Sequence, residues 1–87
     1  MGNTLNNLGK LKEAEASFKQ AIELKPDYAE AYNNLGNTLK DLGKLKEAEV
    51  SYKQAIKLEP NYEEPHSNLG IVLEKHGKFE EAEASNR

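Results

Sequence analysis

The sequence predicts an all-α fold in which antiparallel helix-turn-helix units are stacked side by side. The first observation is an internal repeat: residues 2–28 are identical to residues 36–62 at 20 of 27 positions, a shift of 34 residues. The second is that apolar residues within each copy recur every three or four positions, which is typical of amphipathic helices. An internal repeat of this length indicates stacked similar units, which usually present surfaces and rarely catalyse reactions.

The middle copy defines one repeat unit. Leu35, Leu39 and Leu42 share one helical face and predict its first helix. Gly43 ends that helix, since glycine accepts a left-handed backbone at little cost. A second apolar stripe follows, and Pro60 ends the second helix. Applied along the chain, these signals predict a helix tail at about 2–8 and helices near 12–24, 28–41, 46–58, 62–76 and 79–86.

The starts of the later helices are also marked. Asp27 lies three residues before Glu30, and Asn61 lies three residues before Glu64. This spacing predicts capping boxes, in which the first side chain accepts hydrogen bonds from backbone amides of the helix. Pro65 then falls in a first helical turn, where its missing N–H does no harm.

Two glycines lie inside predicted first helices. Gly36 and Gly70 occupy equivalent positions of the repeat, and glycine there costs roughly 1 kcal/mol relative to alanine. Their recurrence predicts close helix approach, with Gly36 facing Ala48 and Gly70 facing Ala82.

The same residue types recur in the same order in each unit. The middle unit carries Tyr32, Leu35, Gly36, Leu39, Ala48, Tyr52, Ala55 and Pro60. The first unit supplies Leu5, Ala14, Phe18, Ala21 and Pro26, and the third supplies His66, Leu69, Gly70, Leu73 and Ala82. This pattern resembles the tetratricopeptide repeat (TPR) family, with His66 standing where the family usually has an aromatic. The resemblance implies a right-handed TPR superhelix in a single domain, residues 1–87: a truncated repeat (1–27), a full repeat (28–61) and a truncated repeat (62–87).

The resemblance also implies that first helices line a concave groove that binds an extended peptide or a partner protein. The predicted groove residues are Asn3, Asn7, Glu30, Asn33, Asn34, Asn37, Lys40, Asp41, Glu64, Asn68, Ile71 and Lys75. Asparagine dominates, and its amide both donates and accepts, so Asn34 and Asn68 are predicted to hold a peptide backbone. The alternative is that these asparagines only solubilise exposed helices. The asparagine-rich sequence of residues 33–37 is similar to that of repeats found beside glycosyltransferase domains.

A known use of the fold, binding the carboxylate tails of chaperones, requires cations along the groove. Asn3 and Asn34 match two positions of that clamp, but Glu64 and Asn68 stand where cations are expected. We therefore expect a different ligand.

Composition and charge exclude several other functions. The net charge is -3 without a basic cluster, which argues against nucleic acid. His66 and His76 are about three helical turns apart, too far to share a metal. We find no nucleophile with a base and no phosphate-binding glycine loop, so we expect no cofactor and no enzymatic activity. We see no membrane-spanning or signal segment, and cysteine is absent, which together predict a cytoplasmic protein.

The repeat count suggests a second function. The 87 residues make two periods plus 19, and Met1 stands where later copies have leucine. Three explanations remain open: a fragment of a longer array, a naturally short protein, or ends that complete each other between protomers. The last would make the chain a self-associating scaffold unit, with helix exchange between copies as one route.

Overall fold

The computed structural model describes the backbone of residues 2–85 and the side chains of residues 8–77. It contains the helices α1 (Gly2–Leu24), α2 (Ala29–Asp41), α3 (Leu45–Leu58) and α4 (Glu63–Ser85), with no strand among these residues. Each helix packs on the next, and α2 also contacts α4. The smallest dimension of the molecule, 18 Å, is about two helix diameters. The predicted all-α repeat solenoid is therefore confirmed.

Two predicted helix breaks are wrong. Gly9 and Gly77 lie within continuous helices, so α1 and α4 each run for 23 residues, or about 35 Å. Only the equivalent glycine of the middle unit, Gly43, has a positive φ (83°) among the described residues, and there the chain turns. The prediction failed because glycine permits a left-handed turn but does not impose one.

The capping boxes were also predicted wrongly. The residue that precedes α2 is Tyr28, and its side chain makes no capping hydrogen bond. The Tyr28 amide instead donates to the Lys25 carbonyl at 3.1 Å, and the Tyr62 amide donates to the Glu59 carbonyl at the same distance. Proline occupies the second position of both β-turns, where its fixed φ is favoured. Asp27 and Asn61 are therefore the third residues of these turns.

The core lies in and around the α2–α3 hairpin. Its buried members are Leu35, Leu39, Ala48, Tyr52 and Val72, and partly buried Phe18, Ile22, Leu45 and Leu69 pack against them. The hairpin thus buries its own faces, whereas α1 and α4 each contribute to this core from one side only.

Tyr52 is the centre of the core. Its side chain is fully buried, and its hydroxyl donates a hydrogen bond to Oδ1 of Asn37. Burial, followed by the charge of Asp41, raises the pKa of Tyr52 to about 12. The phenol is therefore neutral at physiological pH and joins α3 to α2.

Gly36 permits the close approach of this tyrosine. A Cβ atom on Gly36 would come within 2.5–2.9 Å of ring carbons of Tyr52. The predicted close approach of helices is correct, and the atoms nearest to Gly36 belong to Tyr52. At Gly70 an added Cβ would meet open space, so the predicted contact there is wrong, and the side chain of Ala82 lies outside the described residues.

Period-related glutamates tie the second helical segments to later elements. Glu15 is nearly buried, and its carboxylate lies 2.8 Å from Nζ of Lys19 on the same helix. The same carboxylate lies 3.5 Å from Nζ of Lys44, and this second contact joins α1 to the α2–α3 turn. Glu49 pairs in the same way with Lys53 of its own helix at 2.8 Å, and its Oε1 lies 3.9 Å from Nδ1 of His76 on α4. The lysine hydrogen bonds lower the pKa of both carboxyl groups despite partial burial.

Candidate peptide-binding face

The first helices of the second and third repeats, α2 and α4, lie side by side. Nδ2 of Asn68 on α4 donates a hydrogen bond of 3.1 Å to Oδ1 of Asn33 on α2. This bond joins two asparagine side chains of the predicted groove across the repeat boundary. Sequence reasoning paired Asn68 with Asn34, which lies exactly one period before it. The observed hydrogen-bond partner, Asn33, lies one residue earlier on α2.

Asn33 is a buried residue that hydrogen-bonds to its neighbours within the protein. It is only 1% exposed, and its Nδ2 lies 3.4 Å from Oε2 of Glu64 and 3.5 Å from the Tyr62 hydroxyl. Both Asn33 amide atoms are thus occupied within the protein, and the side chain holds Asn68 and Glu64 in place. A ligand would meet these two partners before it met Asn33.

Tyr62 completes this cluster, although it is not among the groove residues predicted from the sequence. Its hydroxyl donates to Oε2 of Glu64 at 3.2 Å. Burial and the hydrogen bond to Glu64 raise the pKa of Tyr62, and the negative charges of Glu64 and Glu30 raise it further. Two exposed carboxylates and a neutral phenol therefore form an acidic end of the face. The recurrence of tyrosine at Tyr28 and Tyr62 was the signal available in the sequence.

The middle of the face carries two half-buried asparagines. Asn37 accepts the hydrogen bond from the Tyr52 hydroxyl, so this amide also supports the hairpin. The backbone carbonyl of Asn34 accepts from Thr38 Oγ1 at 3.0 Å, while the Asn34 side chain stays half-exposed. Asn34 and Asn68 are thus half-buried asparagines of this face, and no hydrogen bond to the Tyr52 hydroxyl occupies them as it does Asn37.

The far end of the face mixes charges with one apolar residue. Lys40 is half-buried, Asp41 and Lys75 are exposed, and Ile71 is 44% exposed. The side chains of Asn3 and Asn7 lie outside the described residues. Because α1 is continuous, residues 2–8 belong to the same helix as residues 11–24 and do not fold back as a separate first helix.

The other singled-out residues do not form a chemical centre. Nε2 of His66 lies 2.9 Å from the Pro60 carbonyl and fastens α4 to its preceding turn. Among the described residues no group of histidine, aspartate and glutamate is arranged to hold a metal ion. The helices of that same portion are too short or too polar to cross a membrane.

The fold and this face define a helical-repeat protein with a polar surface along its first helices. A family model described as TPR repeat matches residues 2–43 and again residues 36–77. The chain therefore belongs to the TPR family, whose repeats are generally interaction modules for proteins and not catalysts. A search of curated proteins returned no match.

Proposed function

We propose that the α2–α4 face binds an extended peptide segment of a partner protein. The observation that carries this proposal is the Asn68–Asn33 hydrogen bond of 3.1 Å, which fixes one amide of the face across the repeat boundary. A side-chain amide that is already positioned loses little conformational entropy when it binds a ligand. The face is thus prepared to pair with a peptide backbone.

Asn34 and Asn68 would read the backbone of the peptide and not its side chains. Each amide can donate and accept at once, which matches the alternating N–H and C=O groups of an extended chain. Both residues are half-buried, so their hydrogen bonds to a ligand would be partly shielded from water. The likeness of residues 33–37 to repeats beside glycosyltransferase domains agrees with this sequence-tolerant mode of binding.

The acidic end gives the peptide a direction. Glu30 and Glu64 are exposed, and Glu64 is held by Tyr62 and Asn33. A lysine, an arginine or a free amino terminus would neutralise these carboxylates, whereas an acidic tail would be repelled. The proposed ligand is therefore an extended peptide with a cationic group at the Glu30–Glu64 end.

The proposal is tested with a displayed library of random peptides as the probe. We expect selected peptides to carry a basic residue, and the double variant Asn34→Ala with Asn68→Ala to weaken their binding about tenfold. This corresponds to the loss of one or two hydrogen bonds of about 1 kcal/mol each. Isothermal titration calorimetry with one selected peptide measures the change.

A matched control removes two amides elsewhere. Gln20 and Gln54 are also one period apart, but they lie on the second helical segments in α1 and α3. Gln20→Ala with Gln54→Ala should leave the affinity unchanged. Selection of no peptide, or equal affinity of the Asn34/Asn68 variant and the wild type, would refute the proposal.

A further inference from the structure

The straight course of α4 leaves open a face that is covered in the middle repeat. On α2 this face consists of Leu35 (6% exposed), Gly36 and Leu39 (3%), all covered by α3. The period-related residues on α4 are Leu69, Gly70 and Leu73. Leu69 is half-buried, Gly70 is exposed and Leu73 is 45% exposed. The apolar residues of a first helix are thus present on α4 without the second helix that normally packs against them.

The complementary face on α1 is only partly covered in the single chain, where Phe18 is half-buried against the core. Residues 11–24 of α1 are identical to residues 45–58, the whole of α3, at 11 of 14 positions. In α3 the packing face consists of Ala48, Tyr52 and Ala55, each 0% exposed. Their period mates on α1 are only half-buried; these are Ala14, Phe18 and Ala21.

We propose that α1 of a second copy of this chain packs antiparallel on α4 of the first, as α3 packs on α2 within each chain. The contact would reuse a helix interface that the protein already forms, since both of its faces recur in the sequence. It is centred on Leu69, Gly70 and Leu73, meets the peptide-binding face proposed above only at Ile71, and does not depend on peptide binding.

The open space beside Gly70 can accept the aromatic ring of Phe18 from the docked helix. Within the hairpin, the ring carbons of Tyr52 occupy the space that the missing side chain of Gly36 leaves. Phe18 has the same ring carbons, and Gly70 offers the same missing side chain with nothing within 4 Å. In the third repeat of the chain itself, the period-related residue is Asn86, which cannot fill this space as an aromatic ring does.

Two differences between the repeats make the proposed intermolecular contact apolar. In the hairpin the Tyr52 hydroxyl donates to Asn37 Oδ1. One period away from these two residues stand Phe18 and Ile71, so the hydroxyl and its acceptor are both replaced. Ile71 is 44% exposed in the single chain, and Phe18 of a second copy would cover it. An apolar ring (Phe18) thus replaces the hydroxyl donor, and an apolar side chain (Ile71) replaces its acceptor. This match favours α1 over α3 as the helix that docks on α4.

The two faces of the contact lie on different helices of each chain, α1 and α4. Each copy has one face of each kind. The contact can therefore close as a two-fold dimer or continue by adding copies.

The proposal is tested by light scattering of the 87-residue chain over a wide range of concentration. We expect the mass to rise above the 9.7 kDa of one chain as concentration increases. Gly70→Ala should weaken association about tenfold or more, because its methyl group occupies the space of the Phe18 ring. The same variant should keep the folded monomer intact, since no atom lies within 4 Å of that methyl position.

A pair of variants tests the residue assignment. Ile71→Asn should also weaken association, and Phe18→Tyr added to it should restore the assembly by recreating the Tyr52–Asn37 pair. Val50→Asn is the matched control, because Val50 is 64% exposed on α3 outside both faces; it should associate as the wild type does. A wild-type monomer at every concentration would overturn the proposal, as would unchanged association of Gly70→Ala. Failure of Phe18→Tyr to restore Ile71→Asn would refute the Phe18–Ile71 contact.

Discussion

The central hairpin and the first long helix contain the same tetrapeptide in two conformations. Residues 8–11 and 42–45 both read Leu-Gly-Lys-Leu. The chain turns at Gly43, with φ 83°, but continues as a helix through Gly9. The tetrapeptides are identical, although Asn6 and Asn7 precede the first and Lys40 and Asp41 precede the second. We therefore attribute the choice between turn and helix mainly to packing further along the chain.

The difference in packing is visible in the residues that each turn would bring together. The turn at Gly43 buries Leu39 to 3% and Tyr52 to 0% exposure, while α1 covers one side of the hairpin and α4 the other. Burying a leucine or an aromatic ring contributes roughly 1.5–3 kcal/mol, more than the roughly 1 kcal/mol that a helical glycine costs. A hairpin flanked on both sides gains this burial. In this structure α1 packs on α2, α4 packs on α3 and α2, and both helices remain straight.

The largest expected effect compares Gly36 with Gly70. Gly36→Ala places a methyl group 2.5–2.9 Å from the Tyr52 ring, and such overpacking typically costs about 1–3 kcal/mol of unfolding free energy. Gly70→Ala adds a methyl group to an open helical position and should stabilise the dilute monomer by up to about 1 kcal/mol. Urea unfolding followed by circular dichroism measures both values.

These two variants place the same change at the same position of the repeat, so each controls for the other. The changes that they cause in the free energy of unfolding, relative to the wild type, should have opposite signs. Equal destabilisation would mean that Gly70 is covered in the single chain as Gly36 is, and the contrast between the two regions would be lost.

A somewhat smaller effect is expected in alkali. The pKa of Tyr52 is about 12 in the folded protein and 10.0 for the ordinary side chain, so folding favours the neutral phenol. Its contribution is complete below pH 10 and is lost as the pH rises from 10 to 12. A difference of two pKa units corresponds to at most about 3 kcal/mol. Unfolding free energies measured across this pH range provide the test.

Tyr52→Phe is the control for the alkaline loss. The variant should lose about 1 kcal/mol at neutral pH, because the hydrogen bond to Asn37 disappears. It should then lose less stability than the wild type between pH 10 and 12. Tyr62 keeps a raised pKa in both proteins and contributes equally to each curve. Parallel curves for the two proteins would contradict the assignment to Tyr52.

Sequence reasoning predicted the two helices of the repeat unit because its apolar period and its glycine and proline signals agree with its packing. The helices near 28–41 and 46–58, the stop at Gly43 and the turn at Pro60 follow from apolar period and backbone preference. The breaks at Gly9 and Gly77 were wrong because the same signals recur there without the same neighbours. Repetition in a sequence predicts equal tendencies, and it does not guarantee equal surroundings.

The candidate face was predictable only as a list of positions. The spacing of polar residues placed Asn33 and Asn34 together on the exposed side of the first helix. Side-chain packing separates them: Asn33 is 1% exposed and bonded to Asn68, while Asn34 stays half-exposed. A difference of one residue is a rotation of about 100° around the helix, and only the position of the neighbouring helix decides which asparagine turns inward.

The smallest expected effect tests the turn itself. Gly43→Ala forces a side chain into a backbone with φ 83° and should cost about 1–2 kcal/mol. Gly9→Ala replaces a helical glycine with open space around it and should stabilise the chain by about 1 kcal/mol. Thermal unfolding of the two variants measures both effects. Because the substitution and the tetrapeptide are the same, a difference between the two variants reports the different backbone conformations of Gly43 and Gly9. If Gly9→Ala destabilised the protein as Gly43→Ala does, α1 would turn at Gly9 in solution. The face on α1 that we assign to a second copy would then be covered by the first residues of its own chain.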